Sequence, residues 1–223
     1  MATFAIGDIH GCLTALDSVL DSINLQYSDT LVFLGDYIDR GPDSRGVVDR
    51  VLRLREDFRT VTLRGNHEIM MMEAREDQEK LFMWQHFGGE QTLDSYRVDD
   101  GSLWQDCIPQ EHWDFFESTA RYYATATHIF VHAGLNRKKS LEQQDDAGLF
   151  WKKYRKPARY DDIHTVICGH TARELGEIAD YDHTVCIDTY AYGGQWLTCL
   201  NTDTGEYWQA NQEGARRSGS RNC

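Results

Sequence analysis

The chain has 223 residues with 23 Lys and Arg against 36 Asp and Glu, a formal net charge of −13. Hydrophobic residues at 41% and only 3 Pro are enough for a sizeable core and exclude globally disordered and fibrous classes. The acidic balance, with no block of Lys or Arg, argues against nucleic-acid and anionic-membrane partners, which need many cationic contacts.

The N-terminal stretch reaches Asp8 before an apolar signal core can form, and no later run approaches spanning length, so a non-secreted, cytoplasmic chain is expected. Cys12, Cys107, Cys168, Cys186, Cys199 and Cys223 are scattered without a CxxC pair, which predicts reduced thiols. Thr3 to Ile6 is a β-like run ending at Gly7, after which Leu13, Leu16, Val19, Leu20 and Ile23 recur at helical spacing. The rhythm repeats from Thr30 to Leu34, then through Val47, Val48, Val51 and Leu52, and a third run spans Thr60 to Leu63. Successive βα units imply α/β architecture with sites in the loops beyond the strands.

From Ile69 to about Phe116 the pattern is helical and rich in Met, Trp and Phe, which predicts a helical insertion or cap, bounded at about 69–126, whose aromatic stripe serves packing. Strands resume at Thr127 to Val131, Thr165 to Cys168 and Thr184 to Ile187. The runs Gln195 to Leu200 and Glu206 to Gln209 flank turn-forming Asn201 to Gly205 and predict a hairpin. A single domain over 1–210 is expected, with 211–223 as a flexible tail.

Five polar clusters follow predicted strands: Gly7-Asp-Ile-His-Gly11, Gly35-Asp-Tyr-Ile-Asp-Arg-Gly41, Arg64-Gly-Asn-His-Glu68, His132-Ala-Gly134 and Gly169-His170. Singly, each is an ordinary turn: Asp39 can be a surface acid, Arg40 a salt-bridge partner and Asn66 a helix N-cap. Jointly they bring Asp8, His10, Asp36, Asn66, His132 and His170 to the ends of separate strands. These oxygen and imidazole donors, without thiolate, suit Mn, Fe or Zn. Six ligands exceed what one open catalytic ion takes, which suggests two ions about 3.5–4 Å apart sharing a bridging carboxylate. His86, His112, His128, His164 and His183 have no such context.

The clusters resemble the phosphoprotein phosphatase family of metallophosphoesterases, whose signature is GDxHG, GDxxDRG, GNHE and two later His loops. The compact length is most similar to its short bacterial and phage serine/threonine phosphatases. The resemblance implies a calcineurin-like metallophosphoesterase fold, a central β-sandwich flanked by helices, and two divalent ions, Mn first with Fe or Zn as alternatives. It assigns Asp8, His10 and Asp36 to one ion and Asp36, Asn66, His132 and His170 to the other. It makes His67 the general acid oriented by Asp39, with Arg40 and Arg64 on phosphate oxygens, while a hydroxide bridging the ions attacks phosphorus in line. Three departures stand out: Trp151-Lys-Lys-Tyr-Arg155 replaces a Trp-x-Arg element, so that Lys153 or Arg155 supplies the third phosphate contact, Ala172 follows Gly169-His-Thr, and Tyr190 stands where Gly is common. Tyr190 is expected to re-shape the cleft because a ring is added and positive φ becomes unfavourable.

The substrate implied first, from chain length, is a phosphoserine or phosphothreonine protein or another small phosphorylated molecule, acted on by a monomer. The family's symmetrical diadenosine tetraphosphatases give the alternative. A catalytically dead binding module would need a missing ligand or acid, and none is missing.

Overall fold

The computed structural model of the protein describes residues 1–99 and 103–221. Strands β1 (Thr3–Ile6), β2 (Thr30–Phe33) and β3 (Arg59–Thr62) pair in parallel, connected by helices α1 (Leu13–Leu20) and α2 (Ser44–Asp57). Asp43 starts α2, its carboxylate accepting the Gly46 N–H at 2.8 Å. After the helical region come β4 (Tyr122–Ala124), β5 (His128–Val131), β6 (Thr165–Cys168), β7 (Ala179–Asp180) and β8 (Thr184–Cys186), which form a second sheet in the order β4-β5-β6-β8-β7. Strands β9 (Leu197–Asn201), β10 (Glu206–Ala210) and β11 (Arg216–Ser220) return to the first sheet, completing the order β11-β10-β9-β1-β2-β3.

The two sheets pack face to face as a β-sandwich. Period-two alternation sends Ala5, Val32, Leu34 and Leu200 inward to meet Phe130, Ile167, Val185 and Ile187. Phe4, Ile6, Leu31 and Phe33 point outward, where α1 and α2 cover them with Leu16, Val19, Val47, Val48 and Val51. Both faces of β1 and β2 are therefore apolar, and these strands read as continuous hydrophobic runs.

The expected cap comprises α3 (Asn66–Ala74), α4 (Gln78–Trp84), a π turn over 85–89, α5 (Glu90–Ser95), a 3-10 turn over 104–107 and α6 (Gln110–Ser118). Trp84, Trp104, Trp113, Phe115 and Phe116 pack in its core, while Phe82, Met83 and Phe87 stay exposed. The aromatic stripe thus serves packing only in part. The helical character stops at Ser118, and the stretch up to 126 instead supplies β4, the edge of the second sheet.

The segment expected as a flexible tail is a correction. Asn211 turns the chain, its Oδ1 accepting the Ala215 N–H at 2.8 Å, and β11 then pairs along β10. Side chains pin the new edge: the Arg217 guanidinium lies 4.5 Å above the Trp196 ring and donates to the Gly176 carbonyl at 2.6 Å, and Arg221 donates to Asp180 at 2.7 Å. The five described cysteines are free, and Cys223 lies outside the described residues. Among the described residues no helix is long and apolar enough to cross a membrane.

Candidate active site

The five clusters follow β1, β2, β3, β5 and β6, and the structure gathers them on one rim of the sandwich. Holding them there requires unusual backbone. Of the eight non-glycine residues with positive φ among the described residues, six belong to this rim: His10, Asp36, Asp39, Arg40, His170 and Tyr190. Each such residue costs of order 1–3 kcal/mol and persists only where its surroundings over-determine it.

Asp36 is common to two groups whose donor atoms lie within 4.8 Å of one another, His10, Asp36 and His67, and Asp36, His132 and His170. Its Oδ2 is 3.4 Å from His10 Nε2 and 3.5 Å from His132 Nε2. Carbonyl oxygens set the tautomers, since they can only accept. His10 Nδ1 donates to Ile38 O at 2.8 Å and His132 Nδ1 to Leu34 O at 2.9 Å, which leaves each Nε2 a lone pair turned to Asp36. His170 donates through Nε2 to Trp151 O at 2.9 Å and keeps Nδ1 free.

Two observations test whether cations fit here. Asp8 Oδ1 is buried with no hydrogen-bond partner, while its Oδ2 accepts the His170 N–H at 2.9 Å. Asn66 Oδ1 stands 3.0 Å from His132 Nε2, which places two lone pairs face to face. A cation satisfies both. Charges agree: burial, then Asp188 and Asp36, push the Asp8 carboxyl well up. Burial opposes ionisation of Asp36, yet His132, His67, His10 and His170 hold it well below the carboxylate range. Burial lowers His10 and His132, and burial followed by His132 lowers His170 to about 4, so the imidazoles are neutral and able to ligate at pH 7.

His67 Nδ1 lies 2.6 Å from Asp39 Oδ2, which leaves Nε2 for the rim. Burial disfavours its charge, but Asp36 and then Asp39 outweigh that and raise its pKa. Asp39 is fully buried and also accepts from the Trp84 indole N–H at 2.8 Å and the Thr92 hydroxyl at 2.6 Å. An imidazolium held by a carboxylate in this way can give a proton at neutral pH.

The expected arginines divide. Arg40 stands at the rim, Nη1 2.9 Å from His10 Nε2 and its guanidinium 4.4 Å over the Tyr192 ring. Arg64 is anchored on the cap: Nε donates to Thr119 Oγ1 at 2.9 Å and Nη2 to the Phe116, Glu117 and Thr119 carbonyls at 2.8–3.4 Å. The orphan carbonyls at the end of α6 take up Nη2. Arg155 has an exposed side chain and a carbonyl that accepts from Tyr181, whereas the charge of Lys153 bears on both His170 and Asp188.

Four further residues shape the site beyond those to which the sequence assigns a role: Glu68, Asp188, Trp84 and Thr92. Buried Glu68 accepts the backbone N–H of Asp36 at 3.0 Å, Tyr37 at 2.9 Å and Gly65 at 2.8 Å, tying two ligand loops together. Its position three residues after Gly65, at the start of α3, is the capping signal that would have found it. Glu68→Gln puts an amide donor against N–H donors, so we expect a loss of about 2–3 kcal/mol of unfolding free energy in denaturant titration; a loss below 0.5 kcal/mol would contradict this role. Asp188 is buried beside Asp8, and burial first raises it to about 6.

At Tyr190 the expected loss of positive φ does not hold. It adopts φ 65° and ψ 45° despite its side chain. Its N–H donates to Asp188 Oδ1 at 3.2 Å and its carbonyl accepts from Gly193 at 3.1 Å and Gln195 at 3.2 Å, which hold the left-handed turn. Its ring stacks edge-on with Tyr192, 4.7 Å between centroids, and Tyr192 in turn packs on His10 at 4.8 Å.

Residues 1–195 match the model of the calcineurin-like phosphoesterases. Serine/threonine-protein phosphatase 1 of Salmonella typhimurium is 41% identical over 88 residues, 39% of this chain and 38% of that protein. The symmetrical bis(5'-nucleosyl)-tetraphosphatase of Azotobacter vinelandii is 24% identical over 97% of this chain and 99% of its own length. The first curated relatives are otherwise aligned over only 26% to 41% of their own length. The crystal structure of the cold-active protein-tyrosine phosphatase of a psychrophilic Shewanella species superposes with a TM-score of 0.66 at 14% identity, covering 97% of this chain and 79% of that one. This last likeness concerns the fold alone.

Proposed function

The chain belongs to the calcineurin-like phosphoesterases, and from that membership we propose that it cleaves dinucleoside tetraphosphates symmetrically into two nucleoside diphosphates. As a family member it is a metal-dependent phosphoester hydrolase. The observation that carries the finer reading is the Azotobacter vinelandii tetraphosphatase, aligned along nearly the whole of both chains. The ranking from chain length is thereby reversed. A phosphoserine or phosphothreonine phosphatase stays as the second reading, supported by the shorter but closer match to the Salmonella enzyme.

In this reading Asp8, His10 and Asp36 hold one divalent ion and Asp36, Asn66, His132 and His170 the second, with Mn preferred for a mixed oxygen and imidazole set. Bound there, divalent ions polarise the phosphoryl oxygens and activate water. The chain's own groups do the rest. Arg40 and Lys153 orient phosphate oxygens. Water oxygen bonds to phosphorus, the bridging P–O bond breaks opposite it, and His67 gives its Nε2 proton to the departing oxygen. The proton lost by water restores His67, while Asp39 keeps the ring in register.

The test compares kcat/KM of the Mn-loaded protein for diadenosine tetraphosphate and for a phosphoserine peptide. A preference of about tenfold or more for the tetraphosphate is expected. An equal preference for the peptide would establish the second reading instead.

A further inference from the structure

Beside the rim, between the cap and the turn at 147–151, lies an open apolar groove of about 200 Å³. Met70 and Trp84 form its floor, and Met83, Phe87 and Trp151 its walls. The wall residues are 52%, 47% and 43% exposed, a cluster of large apolar side chains left facing water.

Hydrogen bonds tie the residues around the groove to the catalytic apparatus on both sides. Its floor residue Trp84 donates to Asp39, the carboxylate that holds His67. The Gly88 carbonyl, next to Phe87, accepts the Arg40 N–H at 3.0 Å. On the opposite wall the Trp151 carbonyl accepts from His170. Met70 follows His67 by one turn of α3. The groove therefore borders the residues that hold His67 and His170, and a substrate bound at the rim can extend into it.

Its chemistry selects the uncharged end of that substrate. The walls carry no free cation to hold phosphate, since Lys80 Nζ is 3.1 Å from Glu73 Oε2. Phe87 and Trp151 offer two aromatic faces, and the Lys80 and Glu73 pair at the rim offers a donor and an acceptor to a base edge. Stacking on an aromatic ring is worth a factor of about ten or more in affinity. We propose that this groove is a purine subsite for the dinucleotide, with the base stacked by Phe87 and Trp151. The inference rests on the dinucleotide reading of the site.

The test takes the ratio of kcat/KM for diadenosine tetraphosphate to kcat/KM for glycerol phosphate, which has no ring to stack. Phe87→Ala and Trp151→Ala should each lower that ratio about tenfold or more, chiefly through KM for the tetraphosphate. Phe87→Tyr and Trp151→Phe keep an aromatic face and should restore most of it, which a merely structural role would not predict. If wild-type protein prefers the tetraphosphate and the alanine variants leave the ratio unchanged, the subsite is overturned alone. A wild-type protein that turns over the phosphoserine peptide but not the tetraphosphate overturns the function reading, and this inference with it.

Discussion

Asp36→Asn is expected to empty both metal positions together, lowering bound metal from about two ions per chain to near zero and kcat/KM by about a thousandfold or more. Asp36 is the residue shared by the two donor groups, and its carboxyl lies well below the usual carboxylate range. The substitution is clean because Asn tolerates left-handed backbone, so φ 52° at this position is kept. The buried Asp36 Oδ1 that accepts the His67 N–H at 3.1 Å is also retained in shape. By contrast Asp8→Asn removes one orphaned oxygen from one site only and should lower stoichiometry towards one ion. Elemental analysis of purified variants, with a thermal melt to confirm folding, decides the matter; a folded Asp36→Asn protein that retains two ions would refute the bridging assignment.

His67→Asn should leave metal content near wild type and cut turnover by about a hundredfold to ten-thousandfold. Because the structure places His67 in a donor group with His10 and Asp36, a loss of metal would instead make it a ligand. The size of the loss should depend on the leaving group. A serine alkoxide is far more basic than the terminal oxygen of a nucleoside diphosphate, so the peptide ester needs the acid more than the tetraphosphate does. The deficit should therefore be larger for phosphoserine, and an equal deficit for both would count against proton donation. The pH profile gives a second readout. His67 is active protonated, and burial is outweighed by Asp36 and Asp39, which raise its pKa. Activity thus falls as pH rises through that raised value. Asp39→Asn removes one of the raising charges and should move the alkaline limb to lower pH; a limb that stays in place would dismiss the pairing.

Much of the rim was legible because the clusters are local: a glycine ends a β run and a ligand follows, which needs no knowledge of distant contacts. The strands of the sandwich were legible for the same reason, as apolar runs bounded by turns. What escaped depends on tertiary partners. β11, with its two arginines, two serines and a glycine, carries little strand propensity and is fixed by Trp196, Gly176 and Asp180 from elsewhere. Arg64 sits in a matching motif, but nothing in the motif reveals that the end of α6 takes up its donors. Tyr190 was read from intrinsic preference alone, and its hydrogen bonds overrule that preference. Trp84 and Thr92 looked like ordinary cap residues, since their link to Asp39 spans 45 and 53 positions.

That last link bears on how variants of this protein can be built. Asp39 shares its two carboxylate oxygens among an imidazole from the first turn of α3, an indole from α4 and a hydroxyl from α5, so that the later cap helices supply two of its three partners. Exchanging the helices for those of a relative, in order to borrow its specificity, would also exchange two of the three groups that aim the proton donor. A working chimera must carry Trp84 and Thr92 across, and a graft that omits them should bind substrate in its new manner yet turn it over slowly.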